Sequence, residues 1–491
     1  MNILKSTLMG VALCASAFAF AQKPYNVLFI AIDDLRPDLG CYDGEIISPN
    51  IDKLASTGRT FTRHYVQVPT CGASRHSMLT SSRPCDAKFV QNHASSVTRA
   101  NKPSNTIPES FPHLFKQNGY KTICISKISH VEEKNTDWKS DFLHSWDERY
   151  FEFGKWHSPQ TTYAYVEQPE EGYGRNRPLP YEKGPEGYEY LDTLNAKLAI
   201  SKLNELAKQD QPFLLAVGFV KPHLPFNSPK EFWDLYDEKD KKLPSPRNYP
   251  ATHDKAFSMN SGEFNAYKDT KTNLTKLTSD ELSLTLKHGY YAAASYTDSL
   301  VGKVLDELER LGLADNTIVV LWGDHGWQLG EYAMWGKHTL FNRALNSPLI
   351  IRTPNMKNAG VSTESLAESL DIYPTLAELC NLKAPESIHG TSLVKILEDP
   401  KADVKDEVFS YWSKGITVRN KDYSLMYTLN PRDLTKKSSM LFDNKKDFYQ
   451  ENELSKNPEF AQIKDSMLAK IEEHIEKFDV KQLKPSTEKK K

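Results

Sequence analysis

The chain has 491 residues, with 62 Lys and Arg against 64 Asp and Glu and a net charge of −2. That length suits one large domain with a smaller one, and the balanced charge argues against a polybasic nucleic-acid binder. Six cysteines are too few in so long a chain for a disulfide scaffold.

Lys5, the apolar run Leu8 to Phe20 and the A-x-A site Ala19-Phe20-Ala21 read as a secretory signal peptide over residues 1–21. The mature protein is therefore expected in the periplasm or outside the cell. No later stretch approaches the ~20 apolar residues of a membrane span. Cys41, Cys71, Cys85, Cys124 and Cys380 remain after processing, an odd number that leaves at least one thiol unpaired.

"NVLFIAIDD" (Asn26 to Asp34) is a short apolar run ending in two carboxylates, the pattern of a buried strand reaching the C-terminal edge of a sheet. "SPNIDKLASTG" then has a Ser-Pro start, helical spacing and a terminal Gly. "VPTCGASRHSMLTSSRP" reads as a small-residue turn that holds Cys71 four residues before Arg75. "TICIS" (Thr122 to Ser126), "FLLAVGFV" (Phe213 to Val220) and "TIVVLWGDHG" (Thr317 to Gly326) are three further strands. Helical stretches at Leu191 to Ala207 and Ser295 to Leu311 lie between them. Strands alternating with helices predict an α/β fold with a large, mostly parallel sheet flanked by helices.

Residues 131–190 and 226–275 are rich in Pro, Gly, Asn and aromatics, and are expected to be long loops that carry specificity. "SLDIYPTLAELCNL" reads as the last helix of a large domain over 22–390. Beyond Gly390, "VFSYW", "GITVRN" and "YSLMYTL" predict antiparallel strands, and Asn457 to Phe478 an amphipathic helix. These define a smaller α+β subdomain over 391–480, followed by an expected disordered tail, 481–491.

Asp33-Asp34 ends one strand and Asp324-His325 another. Adjacent carboxylates repel unless a cation neutralises them. Three carboxylates and an imidazole suit a hard divalent ion, Ca²⁺ or Mg²⁺. "SKISH" puts Lys127 and His130 past a third strand, and "VKPHLPF" puts Lys221 and His223 past a fourth. "GEYAMWGKHTLF" adds Lys337 and His338. Lys and His after successive strands, facing a metal, fit the binding of a tetrahedral anion.

With these residues the chain resembles the type I, formylglycine-dependent sulfatases of the alkaline phosphatase superfamily. "CGASRHSMLTSSRP" is similar to their maturation signature, C-x-[PA]-S-R followed by L-T-G, although Ala73 replaces the commoner proline and Ser81 stands where glycine is usual. "DDLRPDLGCY" and "KPHLPF" look most like the iduronate-2-sulfatase branch. The resemblance implies that a maturation enzyme oxidises Cys71 to Cα-formylglycine during export. It also implies that Asp33, Asp34, Asp324, His325 and the matured Cys71 ligate the ion, expected to be Ca²⁺ with Mg²⁺ as the alternative.

By the same resemblance, Asp324 takes the nucleophile's proton and Arg75 holds the formylglycine. Lys127, Lys337 and His223 bind the sulfate oxygens, and His223 protonates the departing sugar oxygen. One hydroxyl of the hydrated aldehyde attacks sulfur. His130 deprotonates the other, so that sulfate leaves by C–O cleavage and the aldehyde returns. Arg36, Lys221, His338 and Arg343 are the expected substrate contacts, with Arg36 and Arg343 meeting a uronate carboxylate.

The expected reaction is therefore exo-hydrolysis of a sulfate ester on a sulfated oligosaccharide or polysaccharide, a 2-O-sulfated uronate first. A sulfated algal sugar of the ulvan, carrageenan or porphyran type is the runner-up. A phosphodiesterase or phosphonate ester hydrolase of the same superfamily, and a non-catalytic polysaccharide-binding relative, are the rival readings.

Overall fold

The computed structural model describes residues 23–94, 109–130, 143–150, 165–166, 178–237, 242–250, 257, 262–267, 279–429 and 437–481. The leader, the tail beyond Lys481 and most of the aromatic stretch between Tyr150 and Tyr165 lie outside the described residues. So does much of the two expected specificity loops.

The four apolar runs become neighbouring strands of one seven-stranded sheet. Asn26–Ile32 lies at its centre, paired in parallel with Phe213–Phe219 on one side and Thr317–Gly323 on the other. Lys121–Ile125 and Glu148–Tyr150 continue the parallel arrangement past Phe213–Phe219. Leu349–Arg352 and Arg59–Thr60 extend the other edge, and Leu349–Arg352 runs antiparallel to both of its neighbours. The three central strands are buried along their whole length, because helices cover both faces of the sheet. Leu28, Ile30 and Ile32 feed one core and Val27, Phe29 and Ala31 the other, each large side chain worth about 1.5–3 kcal/mol of burial.

The helix Asp280–Arg310 is 31 residues long, so the expected Ser295 to Leu311 segment is only its second half. Its first half hides in the sequence because Gly289, Tyr290 and Tyr291 are all buried, leaving no one-sided apolar stripe there. Cys71 opens a helix, Cys71–Thr80, where a turn is expected from the small residues. That helix stops at Ser81, whose left-handed φ of 49° is the conformation glycine favours. The serine is held there because its hydroxyl donates to Leu370 O at 2.8 Å and accepts from Gly390 N at 3.0 Å.

The C-terminal part contains the three expected strands and a fourth, Lys437–Asp443, in one antiparallel sheet. The helix Ala461–Lys477 packs on that sheet through Met467, Ile471 and Ile475. Val68, Ala73 and Val90 belong to the same hydrophobic cluster, so this small sheet buttresses the Cys71 helix from behind. Tyr411 N donates to Gln67 O at 2.6 Å and Ser410 Oγ to Val66 O at 2.5 Å, tying the two parts by one backbone and one side-chain hydrogen bond. At this seam Arg83, Lys405, Glu368 and Asp371 form a compact set of ion pairs at 2.7–2.9 Å.

Candidate active site

The carboxyl ends of parallel strands leave chain turns and unpaired backbone where a site can be built. Asp33 and Asp34 follow the central strand, and Asp324 and His325 follow its neighbour Thr317–Gly323. Asp34 takes a φ of 57°, and its amide donates to Asp324 Oδ1 at 2.9 Å, which locks the two turns together. Lys127 comes from the end of Lys121–Ile125, and His223 from the loop after Phe213–Phe219.

Cys71 enters this group from the first turn of its helix. Its Sγ lies 3.3 Å from His325 Nε2, 3.2 Å from Lys337 Nζ and 3.9 Å from Asp34 Oδ1. Gly72 beside it is required by space: a Cβ there would sit 1.9 Å from Asn92 O. One turn on, the fully buried Arg75 spans the centre, with Nε 3.0 Å from Asp324 Oδ2 and Nη2 3.0 Å from Asp33 Oδ1. Its Nη1 also donates to the backbone carbonyl of Lys127.

The charges here respond strongly to one another. Burial pushes the Asp33 carboxyl up, but Lys127, His223 and Arg75 more than reverse this and hold it well below the usual range. Burial raises Asp324, and the nearby Asp33 adds to the effect. Burial likewise pushes the Cys71 thiol up to about 11. His130 is kept neutral by burial and by Lys127, and its buried Nδ1 has no hydrogen-bond partner among the described residues.

The donor set fits a divalent cation. Asp33, Asp34, Cys71 and His223 offer ligand atoms within 4.8 Å of one another, as do Cys71, Asp324 and His325. Asp34 Oδ2 is buried and has no hydrogen-bond partner among the described residues. A buried carboxylate oxygen with no hydrogen bond, and only His223 nearby at 3.9 Å, is costly unless a cation completes it. A second triplet, Glu109, His113 and His144, is half-exposed, and His144 Nε2 lies within hydrogen-bond distance of Glu109 Oε2 at 2.7 Å.

Cations face the same centre. Lys337 Nζ lies 2.8 Å from Asp34 Oδ1, and Lys127 Nζ pairs with Asp33 Oδ2. His223 Nε2 lies 3.9 Å from Asp34 Oδ2. Burial lowers the His223 imidazolium, but Asp34 and Glu263 outweigh it and raise the group to about 10. Glu263 is the member of the site that sequence reasoning missed. It sits in a segment without periodicity, and no local motif marks it.

Three expected substrate contacts stand elsewhere. Arg36 is 2% exposed, with Nε 2.9 Å from Asp38 and Nη1 2.9 Å from Glu331. Arg343 pairs with Asp38 at 2.8 Å and lies over the Tyr449 ring at 4.6 Å. Both guanidinium groups are paired with protein carboxylates rather than gathered around Cys71. Lys221 is buried and donates to Pro225 O at 2.6 Å and His223 O at 3.3 Å, so it braces the His223 loop from inside. His338 does adjoin the centre, its Nε2 3.2 Å from Thr70 Oγ1 and its ring stacked on Trp412 at 4.6 Å. All five cysteines among the described residues are free, Cys71 included.

Comparison with known proteins converges on one family. The family model described as Sulfatase matches residues 25–382, and one described as N-sulphoglucosamine sulphohydrolase, C-terminal, matches residues 330–477. The chain is 31% identical to the iduronate 2-sulfatase of Homo sapiens over 397 residues, covering 73% of this chain and 70% of that protein. It is 28% identical to an ulvan-active sulfatase of Formosa agariphila over 469 residues, covering 92% and 81%. Among solved structures, a protein in complex with its substrate D-glucosamine-2-N,6-O-disulfate superposes with a TM-score of 0.73 at 21% identity, covering 95% of this chain and all of that one. The phosphonate monoester hydrolase of Silicibacter pomeroyi gives the same TM-score at 20% identity, covering 94% and 96%. At such identities these two likenesses speak for the fold.

Proposed function

The chain belongs to the sulfatase family, whose members are sulfuric ester hydrolases, and from that premise we propose that it acts after export on a sulfated saccharide. The observation that carries the reading is Cys71, set within 3.9 Å of Asp34, His325 and Lys337 at the mouth of a buried helix. That supports conversion of Cys71 to Cα-formylglycine, whose hydrated aldehyde supplies one hydroxyl to attack sulfur and a second to expel sulfate.

Asp33, Asp34, Asp324 and His325 would hold a divalent cation, Ca²⁺ first and Mg²⁺ second. Such an ion, when bound, acidifies a ligated hydroxyl and offsets the charge of the sulfate oxygens. Asp324 accepts the proton of the attacking hydroxyl. Arg75 fixes the turn that carries the nucleophile and balances Asp33 and Asp324. Lys127 and Lys337 bind sulfate oxygens as sulfur is attacked. His223 gives its proton to the sugar oxygen as the S–O bond breaks, and neutral His130 takes the proton of the second hydroxyl.

For the sugar, the likeness to iduronate 2-sulfatases favours a 2-O-sulfated uronate, and we place it at a chain end. The likeness to ulvan-active sulfatases supports an algal sulfated sugar as the second reading. The apolar run and A-x-A site at the N-terminus support export. Defined sulfated oligosaccharides from glycosaminoglycans, ulvan and carrageenan, screened for released sulfate, test the proposal. Release from 2-O-sulfated uronate ends, rising as a lyase shortens the polymer, is the expected result. Faster turnover of a phosphate diester than of any sulfate ester would favour the phosphonate hydrolase reading.

A further inference from the structure

Glu263 puts a negative charge beside groups that should bind an anion. Its Oε1 lies 3.2 Å from His223 Nε2 and its Oε2 3.5 Å from Lys337 Nζ. The position is built. Phe264, the next residue, is fully buried and stacks on Trp335 at 5.5 Å with the rings inclined by 19°. Trp335 precedes Lys337 by two residues, so one stack ties the carboxylate to the strand that delivers the lysine. Tyr267, at the end of the same short segment, is also fully buried. Burial pushes the Glu263 carboxyl up, but Lys337 and His223 more than reverse this and hold it well below the usual range.

A sulfate ester carries one negative charge, whereas a phosphate monoester carries nearly two above its second pKa of about 6. The two are alike in shape and size, and cations alone would favour the dianion. A fixed negative charge beside those cations opposes a dianion twice as strongly as a monoanion. We propose that Glu263 is a specificity-determining residue that matches the pocket to the single charge of a sulfate ester and rejects phosphate monoesters. The proposal rests on the assignment of Lys337 and His223 to the sulfate oxygens. At a separation of about 5 Å in a partly buried site, one unit of ligand charge is worth at least roughly tenfold in affinity.

The test is binding of phenyl sulfate, methyl phenyl phosphate and phenyl phosphate at pH 8, to the wild type and to Glu263→Gln and Glu263→Asp in the presence of Ca²⁺. In Glu263→Gln, phenyl phosphate should gain at least about tenfold over phenyl sulfate. The singly charged diester should follow phenyl sulfate, and Glu263→Asp should restore discrimination. Equal gains for all three ligands would show a carboxylate that merely occupies space and would overturn the proposal, as would unchanged affinities. Loss of all binding would show a bracing role and would overturn it too. The readout is affinity, so its failure is distinct from failure of the sulfatase reading, which is a wild type that releases sulfate from no ester.

Discussion

Two sets of buried charges, each gathered from distant parts of the chain, are balanced in different ways. At the seam with the C-terminal sheet, Arg83 and Lys405 answer Glu368 and Asp371, every pair at 2.7–2.9 Å. Around Cys71, three carboxylates and Glu263 share Arg75, Lys127, Lys337 and His223, yet Asp34 Oδ2 has no hydrogen bond among the described residues. The first set is closed, in that each charge is paired within it. The second is open, in that Asp34 Oδ2 meets only His223, at 3.9 Å. Hydrogen bonding alone does not divide them, because Arg83 Nε also has no hydrogen-bond partner among the described residues. A closed set of buried ions holds two parts of a fold in register. An open set stores unsatisfied charge that only a ligand can meet.

Arg36, Asp38, Glu331 and Arg343 show how close the two kinds can lie. They follow the same strands that deliver Asp34 and Asp324, but they form a closed set. Counting cations near a site therefore overstates what is free to bind substrate. Only the partners of each charge reveal that.

The largest expected effect separates chemistry from folding. Cys71→Ala should abolish sulfate release while leaving the thermal midpoint unchanged, because a first-turn alanine suits a helix. A parallel loss of stability would make Cys71 structural. His223→Ala should lower kcat by about 10²–10⁴-fold, the range of a positioned proton donor. Wild-type rates in that variant would remove its role.

The closed set should respond in the opposite way. Glu368→Ala strands Arg83 and Lys405, and breaking such a buried network should destabilise the fold by about 3–5 kcal/mol in denaturant titration. Activity per folded molecule should persist. A variant that stays stable but loses activity would erase the distinction between the two sets.

A pH test belongs to the closed side as well. His64 is fully buried, with Nδ1 3.0 Å from Ser347 O and Nε2 3.1 Å from Ser369 Oγ. Burial lowers its imidazole to about 4. The unfolded ring, near 6.5, binds a proton that the folded ring refuses, so stability falls as pH drops from about 6.5 towards 4. The loss should approach about 3 kcal/mol from this group, and His64→Gln should flatten the pH profile. An equal slope in the variant would contradict it. The smallest expected change is in Asp34→Asn without metal. The amide no longer carries the charge that pairs with the buried Lys337 ammonium, so the apo-protein should lose some stability, while Ca²⁺ binding measured by calorimetry disappears.

The sheet was legible because its central strands are buried on both faces and so read as unbroken apolar runs. The Asp33-Asp34 and Asp324-His325 pairs were legible because strand ends and sites coincide in such sheets. Cys71 read as part of a turn because Gly72, Ala73 and Ser74 carry little helical signal, and its helix is instead buried on every side by tertiary packing. Glu263 was invisible because its place depends on Phe264 meeting Trp335, a contact between distant parts of the chain. The closure of Arg36, Arg343 and Lys221 was invisible for the same reason: burial and partners are set by the fold.

The most direct test of the central claim is the mass of the tryptic peptide His64 to Arg75, from protein purified out of its native host and active on a sulfate ester. The account predicts formylglycine at position 71. Unmodified cysteine there, in protein with full activity, would contradict it.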